Sequence, residues 1–348
     1  MNRQFGALSG LAIVLVVLNH SIHMVTTIPP ALGYPPAQGW PHYLLLALEQ
    51  LGIFAVPTFL FISGGFAVYY AQSSTLRQGY KAVWSRMQRI LWPYLIWSVA
   101  FYILIYVQLG QRHTLLEYVK DLLVGYPFNF VPLLVFFLAL SPLLVRIAKR
   151  HGFLLVAGIG LYQLLLIDLA NPMTLRVALP GWMQAFVPRV VGTTLADWAI
   201  FFPLGIVYGL NARRISAGLS RAIVPLAITV AALFALHLLD QAGAIQFPLA
   251  KYLAPLAFVA LIPSIKRDAI PLAPWWEWVG AMSYGLYLTN LIAADVVLWA
   301  VQVWLPSAFY HPLLLAPVVF ALALAIPLAL MRGLSRLPAR AAYRYVFG

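Results

Sequence analysis

Cysteine is missing from all 348 residues. Disulfides, thiolate metal sites and cysteine nucleophiles are therefore excluded, although the gap says nothing about redox compartment. Charge is nearly as scarce: Asp, Glu, Lys and Arg make up 9% of the chain, whereas 63% is hydrophobic. So few polar groups do not cover a water-soluble globule, and lipid is the solvent this composition implies. Acids are the scarcest, with 9 Asp and Glu against 22 Lys and Arg and a net charge of +13. The basic residues stand in short clusters between apolar runs. That is the pattern of topology signals and anionic headgroups, and it argues against a nucleic-acid partner. Low-complexity tracts, short-period repeats and soluble domains are also absent, so residues 1–348 are read as a single integral membrane domain.

What fills the chain is a series of apolar runs long enough to cross a hydrocarbon core, separated by Pro, Gly or charge clusters. The expected fold class is all-α, a polytopic membrane protein of about ten transmembrane helices. The helices are placed at about 5–27, 43–71, 84–109, 128–147, 152–170, 194–211, 222–240, 249–265, 277–302 and 313–332. The first run reaches about Thr27 without a small-residue cleavage pattern, so it reads as a spanning helix and not as a secretion signal. With this layout 17 Lys and Arg fall on one side and 5 on the other, which places the first side, and both termini, in the cytoplasm. The outer segments 111–126 and 171–193 are expected to be amphipathic or re-entrant pieces at the interface. Pro132, Pro142 and Pro203 are expected to kink their helices.

Polar residues within apolar runs carry the functional information, because each is costly at a helix centre. His20, in Val16-Val17-Leu18-Asn19-His20-Ser21, is a candidate proton carrier, with a packing role as the alternative. At 1.5 Å per residue it lies roughly 22 Å along the helix from residue 5. Arg86 and Arg89 stand at i and i+3 where the third helix enters the membrane. They are suited to clamping phosphates bidentately, though positive-inside topology alone would also place them there. Ser63-Gly64-Gly65 puts small residues within the second helix, for close helix packing or a local break. Ser283, Tyr284, Tyr287 and Asn290 form a polar seam on the ninth helix that reads as an interior cavity wall. Glu49, Asp197 and Asp295 are acids near the apolar interior that could orient an imidazole or serve in structural pairs.

Four stretches together resemble the integral membrane acyltransferase-3 family, whose members move acyl groups onto sugars and glycopolymers. They are Leu8-Ser9-Gly10-Leu11-Ala12 leading to His20; Phe61-Ile62-Ser63-Gly64-Gly65-Phe66; Arg86-Met87-Gln88-Arg89-Ile90-Leu91-Trp92-Pro93-Tyr94; and Gly280-Ala281-Met282-Ser283-Tyr284-Gly285-Leu286-Tyr287-Leu288. The family pattern carries an arginine where this chain has Ser9, an aspartate where it has Gly6 and often a histidine where it has Asn290. The resemblance implies acyl transfer, most simply of acetyl from acetyl-CoA to a hydroxyl of a cell-envelope or exported carbohydrate. In this reading His20 is catalytic, Arg86 and Arg89 bind the CoA, and Ser63, Ser283, Tyr284, Tyr287 and Asn290 line the substrate cavity. No metal and no resident cofactor is expected. Membrane lipids, acyl-CoA and a carbohydrate acceptor are the expected partners, and a bacterial inner membrane the expected location. Oligomeric state, acyl chain and acceptor identity stay open. The rival reading on the same scaffold is a transporter or flippase for lipid-linked or exported sugar, or a non-catalytic partner.

Overall fold

A computed structural model describes residues 3–71, 75–172, 174–177, 179–336 and 340–348. Among them are fourteen α-helices and no β-strand. In chain order these are α1 (Arg3–Ala31), α2 (Trp40–Gln50), α3 (Ala55–Ala71), α4 (Leu76–Leu109), α5 (Leu115–Val124), α6 (Phe130–Ala170) and α7 (Gly192–Trp198). They continue as α8 (Phe201–Leu219), α9 (Ile223–Gln241), α10 (Ala250–Leu261), α11 (Ala273–Ala281), α12 (Ser283–Trp304), α13 (Pro312–Arg336) and α14 (Arg340–Val346). Among the described residues seven helical stretches are long and apolar enough to cross a membrane: α1, Trp40–Ala71, α4, α6, α9, α12 and α13. Joining α7 to α8 across their 48° bend gives an eighth. The chain is a multi-pass integral membrane protein.

Each of the ten apolar runs falls on helix, but the bounds differ for physical reasons. The runs at 128–147 and 152–170 join into α6, whose 41 residues would measure about 60 Å if straight, twice a hydrocarbon core. The backbone breaks inside it at His151 (φ −134°, ψ 45°), within the charge cluster between the two runs. The ninth run is divided at Met282 (φ −106°, ψ 6°) into α11 and α12. The second contains a 3₁₀ turn at Leu51–Phe54 between α2 and α3. Proline meets the expectation in part. Pro132 occupies the first turn of α6, where no backbone N–H is needed, so it starts a helix instead of kinking one. Pro203, in the first turn of α8, directly follows the 48° bend between α7 and α8, the kink expected within the run 194–211. Pro142 lies inside α6, yet the break comes nine residues later.

Contacts divide the chain into two compact units. The first comprises Met1–Ala55, Trp92–Gln111 and Ile270–Gly348. Here α1 packs against α11, α12, α13 and α2. Its crossing with α11 is a backbone contact: a Cβ on Gly10 would overlap the carbonyl oxygen of Trp276, and one on Gly280 would overlap that of Gly6. Farther along, Val17, Ile22 and Val25 of α1 join Ala294, Val297 and Leu298 of α12 and Leu315, Ala316 and Val319 of α13 in one apolar cluster. The C-terminus docks in this unit. Trp97 Nε1 donates to the Val346 carbonyl at 2.7 Å, and Phe347, 2% exposed, packs on the Trp97 ring and against Gly285.

The second unit comprises Val56–Leu91 and Arg112–Ala269. Its α3 and α8 meet by the same device, since a Cβ on Gly64 would overlap the Phe202 oxygen and one on Gly205 the Phe61 oxygen. Ser63-Gly64-Gly65 is therefore a close-packing motif, with no break in α3. Buried Gln163 of α6 holds the bend between α7 and α8. Its amide nitrogen donates to the Ala196 and Asp197 carbonyls, both at 3.0 Å, and its oxygen accepts from Ile200 N–H at 2.9 Å. These are the backbone groups that a broken helix leaves without partners.

The two outer segments differ. In 111–126 the amphipathic helix α5 forms, opened by a capping box in which the Thr114 hydroxyl and the Glu117 carboxylate exchange hydrogen bonds with each other's backbone N–H groups. Leu115 and Leu116 are about 80% exposed, which leaves the apolar face of α5 uncovered. In 171–193 a 3₁₀ turn, Gly181–Phe186, is tied to α6 by Tyr162, whose hydroxyl donates to the Phe186 carbonyl at 2.8 Å.

Candidate active site

The polar stretch of α1 faces two ways. Asn19 and His23, one turn apart, both hold the end of α2. Asn19 Nδ2 donates to the Glu49 carbonyl at 2.9 Å, and His23 Nδ1 pairs with Glu49 Oε1 at 3.1 Å. Asn19 also packs so closely on Gly52 that a Cβ there would lie 2.6 Å from the Asn19 Cβ. Glu49 thus orients an imidazole, as its place in the sequence allowed, but that of His23 and not of His20.

His20 is turned about 100° from Asn19 and reaches α12 instead. Its Nδ1 lies 2.8 Å from Asn290 Oδ1. Asn290, 1% exposed, donates through Nδ2 to the carbonyls of Leu286 at 2.9 Å and Tyr287 at 2.7 Å. With both amide hydrogens committed to acceptors, the amide orientation is fixed. Turning it over would place Oδ1 against two carbonyl oxygens. Oδ1 therefore accepts, His20 Nδ1 carries the hydrogen, and Nε2 keeps the lone pair. A partly buried imidazole with a defined tautomer and an available Nε2 has the form of a general base oriented by an amide.

The rest of the α12 seam lies below this pair. Ser283 opens the helix beside the break at Met282, Tyr284 neighbours Tyr94 and Tyr287, and Tyr287 is 7% exposed with its carbonyl bound by Asn290. At the other end of α1, Gly6 faces Glu277 of α11, whose Cγ would lie 3.8 Å from a Cβ at Gly6. A carboxylate thus stands beside the position where the acyltransferase pattern has an aspartate. Arg3 is exposed in the first turn of α1 and Ser9 is partly buried.

Ser63, Arg86 and Arg89 belong to the second unit. Ser63 is partly buried beside the α3–α8 glycine crossing, and both arginines are exposed. The Arg86 guanidinium lies over the Tyr70 ring, 4.3 Å from its centre. Stacking occupies one face of the guanidinium and leaves the N–H fork in its plane to donate. Arg77 and Lys81 precede the pair on α4, which carries no acid from Leu76 to Leu109. Of the other acids singled out, Asp197 pairs with Lys251 at 2.8 Å. Asp295 lies beside Gln108.

Sequence reading passed over Asp168, which is 2% exposed, with neither carboxylate oxygen hydrogen-bonded among the described residues. Its signal was a charge closing the run Leu164-Leu165-Leu166-Ile167. Among the described residues no group of three or more His, Asp or Glu is placed to hold a metal ion.

A family model described as an acyltransferase domain matches residues 4–332, nearly the whole chain, and includes every residue named above for the site except Arg3. No curated protein and no solved structure gives a significant match.

Proposed function

Since the chain belongs to the acyltransferase-3 family and is a membrane acyltransferase, we propose that it transfers an acetyl group from acetyl-CoA to a hydroxyl of a cell-envelope or exported carbohydrate. The observation that carries the chemistry is the His20–Asn290 hydrogen bond, which leaves Nε2 as the base. Nε2 removes the proton of the acceptor hydroxyl as that oxygen attacks the thioester carbonyl. The tetrahedral intermediate collapses with cleavage of the C–S bond, and the imidazolium returns the proton to the departing CoA thiolate. Asn290 holds the ring through both steps and accepts from Nδ1–H throughout. Ser283, Tyr284 and Tyr287, on the same helix as Asn290, are assigned to the surroundings of the acyl and acceptor groups.

Arg86 and Arg89 are assigned to the CoA phosphates. They are exposed, adjacent on one helix face and free of acids along α4, and the stacking of Arg86 on Tyr70 orients its fork. The 17:5 division of basic residues supports a ten-crossing topology with both termini cytoplasmic, in an inner membrane of bacterial type.

Purified protein in nanodiscs tests the assignment. Acetyl-CoA binding and transfer are measured for the wild type, His20→Ala and Arg86→Ala/Arg89→Ala. The expected result is a 10²- to 10⁴-fold loss of turnover with binding retained for the first variant, on the order of a general base. For the second, loss of affinity with an intact fold is expected, roughly 10- to 100-fold for each charge-assisted contact removed. A folded wild type without affinity for any acyl-CoA, but moving sugar unaltered, would favour the transporter reading.

A further inference from the structure

Basic residues crowd the break in α6 and also a second break, at Asn211 of α8 (φ −127°, ψ 26°). Lys149 and Arg150 precede the first, and Arg213 and Arg214 follow the second. No acid lies between Asp121 and Asp168 or between Asp197 and Asp240, so neither broken helix carries a counter-charge near these residues. The two breaks are packed together. A Cβ on Gly152 would meet Val207 Cγ2 at 3.3 Å, and Asn211 Nδ2 donates to the Val207 carbonyl at 3.0 Å, bridging the interruption in α8.

Between them lies an open cavity of about 620 Å³ lined by Lys149, Arg150 and Arg214 together with the apolar side chains of Phe153, Ile215 and Leu219. That volume falls within the range of small-molecule sites. Among the described residues none of the three cations is paired with a carboxylate. Phe153 and Leu154 are 83% and 64% exposed, so the cavity borders an uncovered apolar surface. Three like charges held together without an acid call for a polyvalent anion, and the apolar wall calls for a greasy group attached to it.

We propose that this cavity binds a phosphate ester, with the headgroup of an anionic phospholipid as its occupant. The phosphates of a CoA carry the same chemistry from the aqueous side. Arg86 and Arg89 do not line the cavity, so the assignment stands apart from the donor-site reading.

Native mass spectrometry of the full-length protein, titrated with cardiolipin, phosphatidylglycerol or phosphatidylcholine, tests the site. The variants are Lys149→Gln, Arg150→Gln and Arg214→Gln, singly and combined, and Arg146→Gln/Arg213→Gln serves as a charge-removal control outside the cavity. The expected result is retention of the anionic lipids over phosphatidylcholine, about five-fold weaker for each cation removed, with little change in the control and no displacement by free CoA. If CoA displaces the lipid, and the cavity variants lose CoA, the phosphate site stands and its occupant is the nucleotide. Undiminished binding of lipid and CoA by the combined variant overturns the proposal, as does an equal loss in the control. The single variants carry the same comparison if the combined one does not fold.

Discussion

Asn290 commits both amide hydrogens to its own helix and offers His20 only an oxygen. An amide in this place fixes the tautomer without adding a charge, whereas an aspartate would also stabilise the imidazolium. Asn290→Ala keeps the ring but frees its rotation. Turnover should fall about 10- to 100-fold, the scale of a misplaced catalytic group, with KM for acetyl-CoA unchanged in steady-state assays. A fall no larger than two-fold would mean that the ring is held by something else. His20 and Asn290 were each legible as polar residues out of place, but their pairing was not. They stand 270 positions apart, and helix periodicity gives the face of one helix without saying which neighbour it meets. Glu49 shows the same limit: its imidazole proved to be that of His23.

The glycine crossings make a sharper demand on sequence than the apolar surfaces around them. At Gly205 or Gly280 a Cβ would meet a backbone carbonyl, which has no rotamer to yield. Gly205→Ala and Gly280→Ala are each expected to cost about 1–3 kcal/mol, as overpacking does. Gly158→Ala, where nothing lies within 4 Å of the added carbon, should be neutral or stabilising by up to about 1 kcal/mol. Thermal unfolding in detergent compares the three directly. Of these motifs Ser63-Gly64-Gly65 was readable in advance as a close-packing or breaking segment, whereas Gly10, Gly205 and Gly280 carried no packing signal of their own. The break at His151 was readable too, since it falls in the charge cluster that separates the runs 128–147 and 152–170, and Pro203 signalled the bend between α7 and α8. The break at Met282 was not, because apolar residues continue across it. Nor was the support of the α7–α8 bend, since Gln163 lies more than thirty residues upstream.

Helix α5 has its own pH dependence. The backbone N–H and hydroxyl of Thr114 hold the Glu117 carboxyl below its usual range. A depressed folded value means that the cap contributes fully above the unfolded carboxylate range and is lost as pH falls through the lower value. Amide exchange of residues 115–124, corrected for intrinsic rates, should therefore lose protection below about pH 4. Glu117→Gln should remove that step.

At the scale of the whole chain, the absence of cysteine makes sidedness directly measurable. Gln78→Cys and Gly348→Cys should be labelled only from the cytoplasmic face of intact cells or oriented vesicles, and Gln111→Cys only from the opposite face. Labelling of positions 78 and 348 from opposite sides would rule out the proposed topology. The chain's length is constrained as well as its composition. His20 lies ten residues beyond Gly10, and Asn290 ten residues beyond Gly280, the two positions where α1 and α11 are pressed backbone to backbone. The crossing thus serves as a common origin, and each partner is set by an equal count from it. One residue inserted between Gly10 and His20 would advance the imidazole by about 1.5 Å and swing it by about 100°. Drift among relatives should accordingly appear as exchanges of side chains along these two intervals, while the intervals themselves neither lengthen nor shorten.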